Sequence, residues 1–141
     1  MTATVISKGI FRSMPVTLEF VRDNRIAVTT ISDPLDMRDM ASIQEEFRQK
    51  VIPLEFSVYS ILDITRLTKL PANMLSISIG TSKNGWDPKL EMILVVSTSA
   101  FITGMLTLVR NISARPIVIF KTLDEAWAEV DLRLAAEANA A

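Results

Sequence analysis

Cysteine and histidine are both absent from this chain of 141 residues. Without cysteine there is no disulfide, no thiolate nucleophile and no Cys-ligated zinc or iron–sulfur site. Without histidine, Ser-His-Asp catalysis is excluded, and so are most transition-metal sites, because these depend on imidazole. The nucleophile–base pairs of the common hydrolases therefore cannot be assembled. The sequence points to no catalytic residue, no cofactor and no metal site.

Glycine is also scarce, being present only as Gly9, Gly80, Gly85 and Gly104. None belongs to a strand–loop–helix cluster, so a P-loop or a dinucleotide fingerprint is not predicted. The formal net charge is −1, so the protein as a whole has no positive electrostatic potential that would attract nucleic acid or an anionic membrane. Apolar runs such as Met92–Val96 are far shorter than the roughly 20 residues that span a bilayer. We expect a cytoplasmic protein with no membrane span and no nucleic-acid partner.

What the chain does contain is a large apolar fraction, 49% of its residues. A chain of this length is expected to form one domain that buries about 70% of its unfolded surface. We place that domain at residues 15–135. Residues 1–14 are expected to be a flexible lead-in or an edge strand, and residues 136–141 a frayed tail.

The first third of the sequence predicts a hairpin followed by a helix. Val16–Val21 alternates apolar and polar residues, as a half-buried strand does. A polar turn over Arg22–Arg25 leads into the β-branched segment Ile26–Ile31, which is expected to pair back. Asp36 is the predicted N-cap of an amphipathic helix over Met37–Val51, where apolar residues recur at spacings of three and four.

The middle of the chain predicts a strand, a turn and a second helix. Val58–Ile64 is almost entirely apolar or small, which is typical of a parallel strand buried on both faces. Asp63 lies near its carboxyl end. A turn over Thr65–Lys69 follows, and Pro71 is expected to open a helix that ends at Gly80.

The remainder adds two more strands and two more helices. An exposed loop over Thr81–Lys89 precedes a buried strand at Leu90–Val96 and a helix over Ala100–Ile112. A short strand at Ile117–Phe120 is followed by a capping box, Thr122–Glu125, that opens the last helix. The element order predicts an α/β domain with a mostly parallel sheet of about five strands, an antiparallel N-terminal hairpin at one edge and about four helices.

The helix over Ala100–Ile112 is apolar around an unusually wide arc. Most of its apolar residues form one stripe, and Ile102 and Leu106 widen it to about 160° at 100° per residue. That is more than packing against one sheet face requires. Ile102 and Leu106 are therefore predicted to line the contact face of a homodimer.

The element order and three segments, SVYSILDITRLTKLPANML, LEMILVVSTSAFITGMLTLV and RPIVIFKTLDEAWAEV, resemble the STAS / SpoIIAA-like superfamily. The resemblance runs from about Val16 to Leu134 and is best at Asp63–Thr65 and Phe120–Ala126. It implies the SpoIIAA-like fold, a sheet with helices packed on it. Domains of this superfamily are protein-interaction modules, notably anti-sigma factor antagonists controlled by phosphorylation, and some relatives are thought to hold small or lipidic ligands.

The sequence departs from the superfamily at its phosphorylation site. In phosphorylated members, a serine lies at the start of the helix that follows the central strand. Counted from Asp63, that position is Ala72, which has no hydroxyl group. Thr65 or Thr68 could take a phosphate instead, although both are equally explained as turn and cap residues. The turn and helix start that the resemblance places against a partner comprise Asp63, Thr65, Thr68, Lys69, Ala72 and Asn73.

Two functional hypotheses follow. The first is a non-enzymatic, STAS-like regulatory module that binds an unidentified protein partner and forms a homodimer. The alternative is a carrier or sensor of a small apolar, lipid-like ligand, held between the helices and the sheet. Its pocket would be lined by Met37, Met40, Phe47 and Met74, because methionine adapts to irregular apolar ligands. An enzyme that uses lysine or carboxylate chemistry comes third.

Overall fold

Five strands form one mixed sheet in the computed structural model, which describes residues 16–69 and 89–140. They lie side by side in sequence order as β1 (Val16–Val21), β2 (Ile26–Ser32), β3 (Val58–Arg66), β4 (Leu90–Val96) and β5 (Ile117–Phe120). β1 is antiparallel to β2, and every other pair of neighbours is parallel. The predicted mostly parallel sheet with an antiparallel hairpin at its edge is confirmed, and β3 ends two residues later than predicted.

Three helices accompany the sheet in the described residues: α1 (Met37–Val51), α2 (Ala100–Ile112) and α3 (Leu123–Ala140). The helix count in this part of the chain is therefore three rather than the predicted four. The additional helix, predicted from Pro71 to Gly80, lies outside the described residues, as do residues 1–14. Within the described ranges, no helix combines the length and the hydropathy needed to cross a membrane.

Side-chain caps explain where the helices begin. The Asp36 carboxylate accepts the N–H of Arg38 at 2.6 Å, and the Ser99 hydroxyl accepts an N–H from the first turn of α2 at 3.2 Å. At the start of α3, the N–H of Glu125 donates to the Thr122 hydroxyl at 3.1 Å, and the Glu125 carboxylate accepts the Thr122 N–H at 3.3 Å. This is the predicted capping box, which satisfies backbone donors that have no partner within the helix.

Apolar side chains cover both faces of the sheet, with α1 and α2 on one face and α3 on the other. Buried residues on the first face include Ile31, Ile64, Ile93, Val95, Ile102 and Val109. Buried residues on the second face include Ile26, Tyr59, Ile61, Leu94, Ala126 and Val130. The central strands are therefore enclosed between helices, which is why β3 and β4 have near-continuous apolar sequences.

Two ion pairs attach α3 to the hairpin. Arg22 lies 2.5 Å from Asp131, and Arg25 lies 2.6 Å from Glu137. Glu137 falls within residues 136–141, which were expected to fray, and the helix continues through residue 140. Fraying in solution stays a prediction, but this stretch carries a specific contact to the sheet.

The hairpin turn contains three consecutive non-glycine residues with positive φ, namely Arg22 at 55°, Asp23 at 58° and Asn24 at 65°. The N–H of Arg25 donates to the carbonyl of Arg22 at 3.1 Å and closes the turn. Left-handed geometry matches the twist of a two-stranded hairpin, but it costs roughly 1–2 kcal/mol for a residue with a Cβ, and less for Asn and Asp.

Replacing Asp23 with glycine is expected to raise the free energy of unfolding by about 0.5–1 kcal/mol, because glycine adopts positive φ without this steric cost. Asp23 is exposed, so little packing is lost. Urea denaturation followed by circular dichroism measures the change. Asp23→Ala is the matched control and should destabilise, since alanine keeps the Cβ. If the glycine variant were no more stable than the alanine variant, the turn would not be strained at this position.

Candidate functional site

The carboxyl ends of β2 to β5 meet at one edge of the sheet, where the chain leaves through polar segments. Asp33 follows β2, Thr68 and Lys69 come after β3, Ser97 follows β4 and Lys121 follows β5. Open α/β sheets bind their ligands at this edge, where loops rather than strands supply the side chains. We use the name carboxyl edge for the exposed or partly exposed residues Asp33, Asp63, Thr65, Thr68 and Lys69.

Asp33 joins the loop after β2 to the loop after β3. Its carboxylate accepts the N–H of Thr68 at 3.0 and 3.1 Å, the hydroxyl of Thr68, and the N–H of Lys69 at 3.4 Å. These bonds favour the charged form, so the pKa of Asp33 lies below its ordinary value, mainly because of the Thr68 hydroxyl. This Asp33 clasp holds two loops that are 35 residues apart in one arrangement.

Asp63 makes a local contact at the end of β3. Its carboxylate accepts the N–H of Thr65 at 3.0 Å and the hydroxyl of Thr65 at 2.8 Å. Short polar side chains commonly bond to the backbone two residues further on in this way. Asp63 is therefore an acceptor that shapes the following turn, and the Thr65 hydroxyl is already engaged.

Ser97 lies at the part of this edge between β4 and α2. It is buried, and its hydroxyl oxygen accepts the N–H of Ser99 at 3.3 Å and lies 3.5 Å from the Thr103 hydroxyl. The polar atoms here bond to one another, so Ser97 adds no accessible polar group to the edge.

The structure brings together most of the predicted partner-facing residues. Asp63, Thr65, Thr68 and Lys69 lie at the carboxyl edge, whereas Ala72 and Asn73 are outside the described residues. Sequence reasoning did not include Asp33 among the partner-facing residues. The available signal was its position directly after a parallel strand, from which a carboxylate reaches the loop of the neighbouring strand.

The predicted dimer face on α2 is wrong in its residues. Ile102 is 3% exposed and lies in the core, and Leu106 packs against the same core. The exposed apolar residues of α2 are Phe101, Leu108 and Ile112, with exposed fractions of 71%, 59% and 41%. Ile102 and Leu106, which widen the apolar stripe, pack against the sheet, whereas Phe101, Leu108 and Ile112 of the main stripe face outward.

The residues predicted to line an apolar pocket make core contacts. Met40 and Phe47 pack against the buried cluster of the first face, and Phe47 also stacks on Phe20 of β1 with ring centres 5.9 Å apart. Met37 is partly exposed at the start of α1, and Met74 lies outside the described residues. Neighbouring side chains thus contact Met40 and Phe47 directly, and ligand binding there stays a prediction.

Comparison with known proteins gives the fold. No protein-family model matches the chain, and no curated protein matches it in sequence. Its structure is similar to that of an uncharacterized DUF3478-family protein with a SpoIIAA-like fold from Shewanella loihica, at a TM-score of 0.59 and 11% identity over 80% of this chain and 90% of that chain. This chain has a SpoIIAA-like fold.

A second structure supports the same assignment. An anti-sigma factor antagonist from Mycobacterium paratuberculosis is similar at a TM-score of 0.53 and 18% identity, over 84% of this chain and 95% of that chain. At such identities the likeness establishes the SpoIIAA-like fold and nothing about activity. The resemblance to the STAS / SpoIIAA-like superfamily is confirmed at that level.

Replacing Asp33 with alanine is expected to release the loop after β3, because the N–H groups of Thr68 and Lys69 lose their acceptor. Their amide hydrogen exchange, measured by NMR, should become about tenfold faster. Asp39→Ala removes the same charge from a nearby helix start and is the control. Equal exchange in the two variants would show that the clasp does not order the loop.

Acid should have the same effect on the wild-type protein. Because the folded-state pKa of Asp33 is lowered, its bonds contribute stability above the ordinary value of 3.8 and are lost as the pH falls through the folded-state value. The exchange of the Thr68 and Lys69 amides, corrected for its intrinsic pH dependence, should therefore accelerate on acidification. Asp33→Ala should show no such acceleration.

Proposed function

We propose that this protein is a regulatory module that binds another protein through the carboxyl edge, and that it has no enzymatic activity of its own. The observation that carries the proposal is the Asp33 clasp, in which a carboxylate fixes the backbone of an exposed loop at Thr68 and Lys69. A loop already held in one conformation loses little entropy when a partner binds, which favours recognition.

Two further facts support a binding role. The anti-sigma factor antagonist that shares the fold is named for its action on another protein, and we extend a protein partner to this chain. The chain also lacks histidine and cysteine. The carboxylates of Asp33 and Asp63 accept hydrogen bonds from their own loops, so they serve structure rather than proton transfer.

We further propose that the module does not depend on the usual phosphorylated serine. The corresponding position is Ala72, and the nearby hydroxyls of Thr65 and Thr68 both donate to aspartates. A phosphate on either threonine would lie beside the carboxylate of Asp63 or Asp33, and the like charges would repel. Modification there would break the local turn or the clasp instead of adding a contact.

Replacing Thr65 with arginine tests the binding surface, because it puts a large charged side chain on the carboxyl edge. Asn111→Arg, near the end of α2 at the opposite edge of the sheet, is the matched control. Affinity purification from the source cells should retain a protein with the wild type and with Asn111→Arg but lose it with Thr65→Arg. In the purified pair, we expect Thr65→Arg to weaken binding by about tenfold or more. Equal retention by the two variants would contradict the proposal.

We also propose a homodimer, formed through the exposed residues of α2 instead of those predicted. Phe101, Leu108 and Ile112 lie on one side of the helix, and large apolar side chains exposed together commonly mark an interface. Sedimentation of the wild type and of Leu108→Asp tests it: the variant should shift toward monomer. The cytoplasmic location expected from the sequence stays a prediction.

A further inference from the structure

One side of α2 carries four large apolar side chains that are not buried in the core. Phe101, Leu108 and Ile112 are exposed, and Met105, which lies between them, is partly exposed. At about 100° per residue, these four residues fall within an arc of about 60° around the helix. We call them the α2 seam.

The spacing of the α2 seam suits a second helix. Its residues occupy positions 101, 105, 108 and 112 and therefore recur at intervals of four, three and four. This is the pattern with which one helix packs lengthwise along another, because it keeps the apolar residues on one side over successive turns. Gly104 lies beside the seam with open space around it, so no side chain holds a second helix away at that point.

The charge of α2 indicates which helix fits the seam. Arg110 is the one charged residue of α2, and it lies about 180° around the helix from Phe101. A membrane surface or a charged partner helix is usually matched by charges beside the apolar residues, and α2 has none there. A second copy of the same seam meets it without bringing like charges together, and most homo-oligomers are symmetric pairs of this kind.

We propose that the α2 seam packs against the same seam of a second copy of this chain, with the two helices antiparallel. This inference rests on the homodimer proposed above and adds its geometry. The antiparallel arrangement places Phe101 opposite Ile112 of the partner subunit and Met105 opposite Leu108 of the partner subunit, because both pairs are centred on the same point of the helix. It also opposes the two helix dipoles, which a parallel arrangement would align.

Single cysteines test this arrangement directly, because the chain contains none. Phe101→Cys and Ile112→Cys are purified separately, mixed and mildly oxidised. Antiparallel packing brings position 101 of one copy beside position 112 of the other, whereas the two copies of position 101 lie about 16 Å apart along the helices, which no disulfide spans. The mixed disulfide should therefore exceed the disulfide between two copies of Phe101→Cys by at least about tenfold.

Two controls show whether the disulfide depends on the seam. Arg110→Cys lies on the same helix and is exposed, but it is on the other side, so it should give no disulfide with either of the first two variants. Adding Leu108→Asp to Phe101→Cys and to Ile112→Cys should abolish their mixed disulfide, because the carboxylate would face Met105 of the partner subunit in an apolar contact. All of these positions are exposed, so the variants are expected to fold.

The outcomes separate this geometry from the homodimer on which it rests. A wild-type protein that sediments as a monomer up to the highest concentration used would overturn both. A dimer whose preferred disulfide joins two copies of position 101 would keep the homodimer and overturn the antiparallel arrangement. A dimer that is crosslinked through Arg110→Cys would place the interface on another side of α2 and overturn the role of the seam.

Discussion

Replacing Ile102 with aspartate is expected to remove much of the protein's free energy of unfolding. Ile102 is 3% exposed and lies in the core cluster that also contains Val109. Aspartate there removes apolar burial and leaves a carboxyl group without a partner. The cost, about 4–5 kcal/mol, approaches the whole stability of many small domains, about 5–15 kcal/mol. Thermal unfolding followed by circular dichroism measures it.

Leu108→Asp is the control on the same helix. Leu108 is 59% exposed, so the folded monomer, followed at a concentration too low for dimer formation, should change in stability by only about 0.5 kcal/mol. The pair therefore tests the rotation of α2 about its own axis. A stable Ile102→Asp together with an unfolded Leu108→Asp would show that the helix is turned the other way, as the sequence alone suggested.

Raising the pH from 10 to 12 is expected to remove about 2 kcal/mol of stability through Tyr59 alone. Its hydroxyl donates to Glu137 at 2.5 Å, and burial, followed by this bond, raises the pKa of Tyr59 to about 12. Since the folded-state pKa exceeds the unfolded value of about 10, the contribution is complete below pH 10 and is lost as the pH rises toward 12.

Urea denaturation at a series of alkaline pH values measures this effect. The free energy of unfolding of Tyr59→Phe should fall less steeply with pH than that of the wild type, because phenylalanine has no proton to lose. Glu137 also pairs with Arg25, so the variant keeps this ion pair between α3 and the hairpin. Identical slopes in the two proteins would contradict the predicted pKa shift.

Local patterns predicted the elements well because their causes are local. The bounds of α1 and α2 agree with apolar spacing and with caps at Asp36 and Ser99, which act within a single turn. The hairpin follows from a polar turn between two alternating segments. The capping box at Thr122 and Glu125 is likewise contained in one short stretch.

Features that depend on contacts between distant parts of the chain could not be predicted from the sequence. The orientation of α2 could not be read from a helix that is apolar around much of its circumference, so Ile102 was placed outside when it lies inside. The Asp33 clasp joins loops 35 residues apart, and its existence depends on β2 and β3 being parallel neighbours. Only the order of the strands in the sheet shows that these two loops meet.

The most direct test of the central claim is site-specific photo-crosslinking in the source cells. A photoreactive amino acid replaces Thr65 at the carboxyl edge or, as the control, Asn111 at the opposite edge, both of which are exposed. The account predicts a discrete adduct with a different protein from position 65. Position 111, which lies beside the proposed dimer residues Leu108 and Ile112, should give no adduct other than a covalent dimer of the chain itself. Adducts with a different protein from position 111 alone, or from neither position, would contradict a regulatory module that binds through the carboxyl edge.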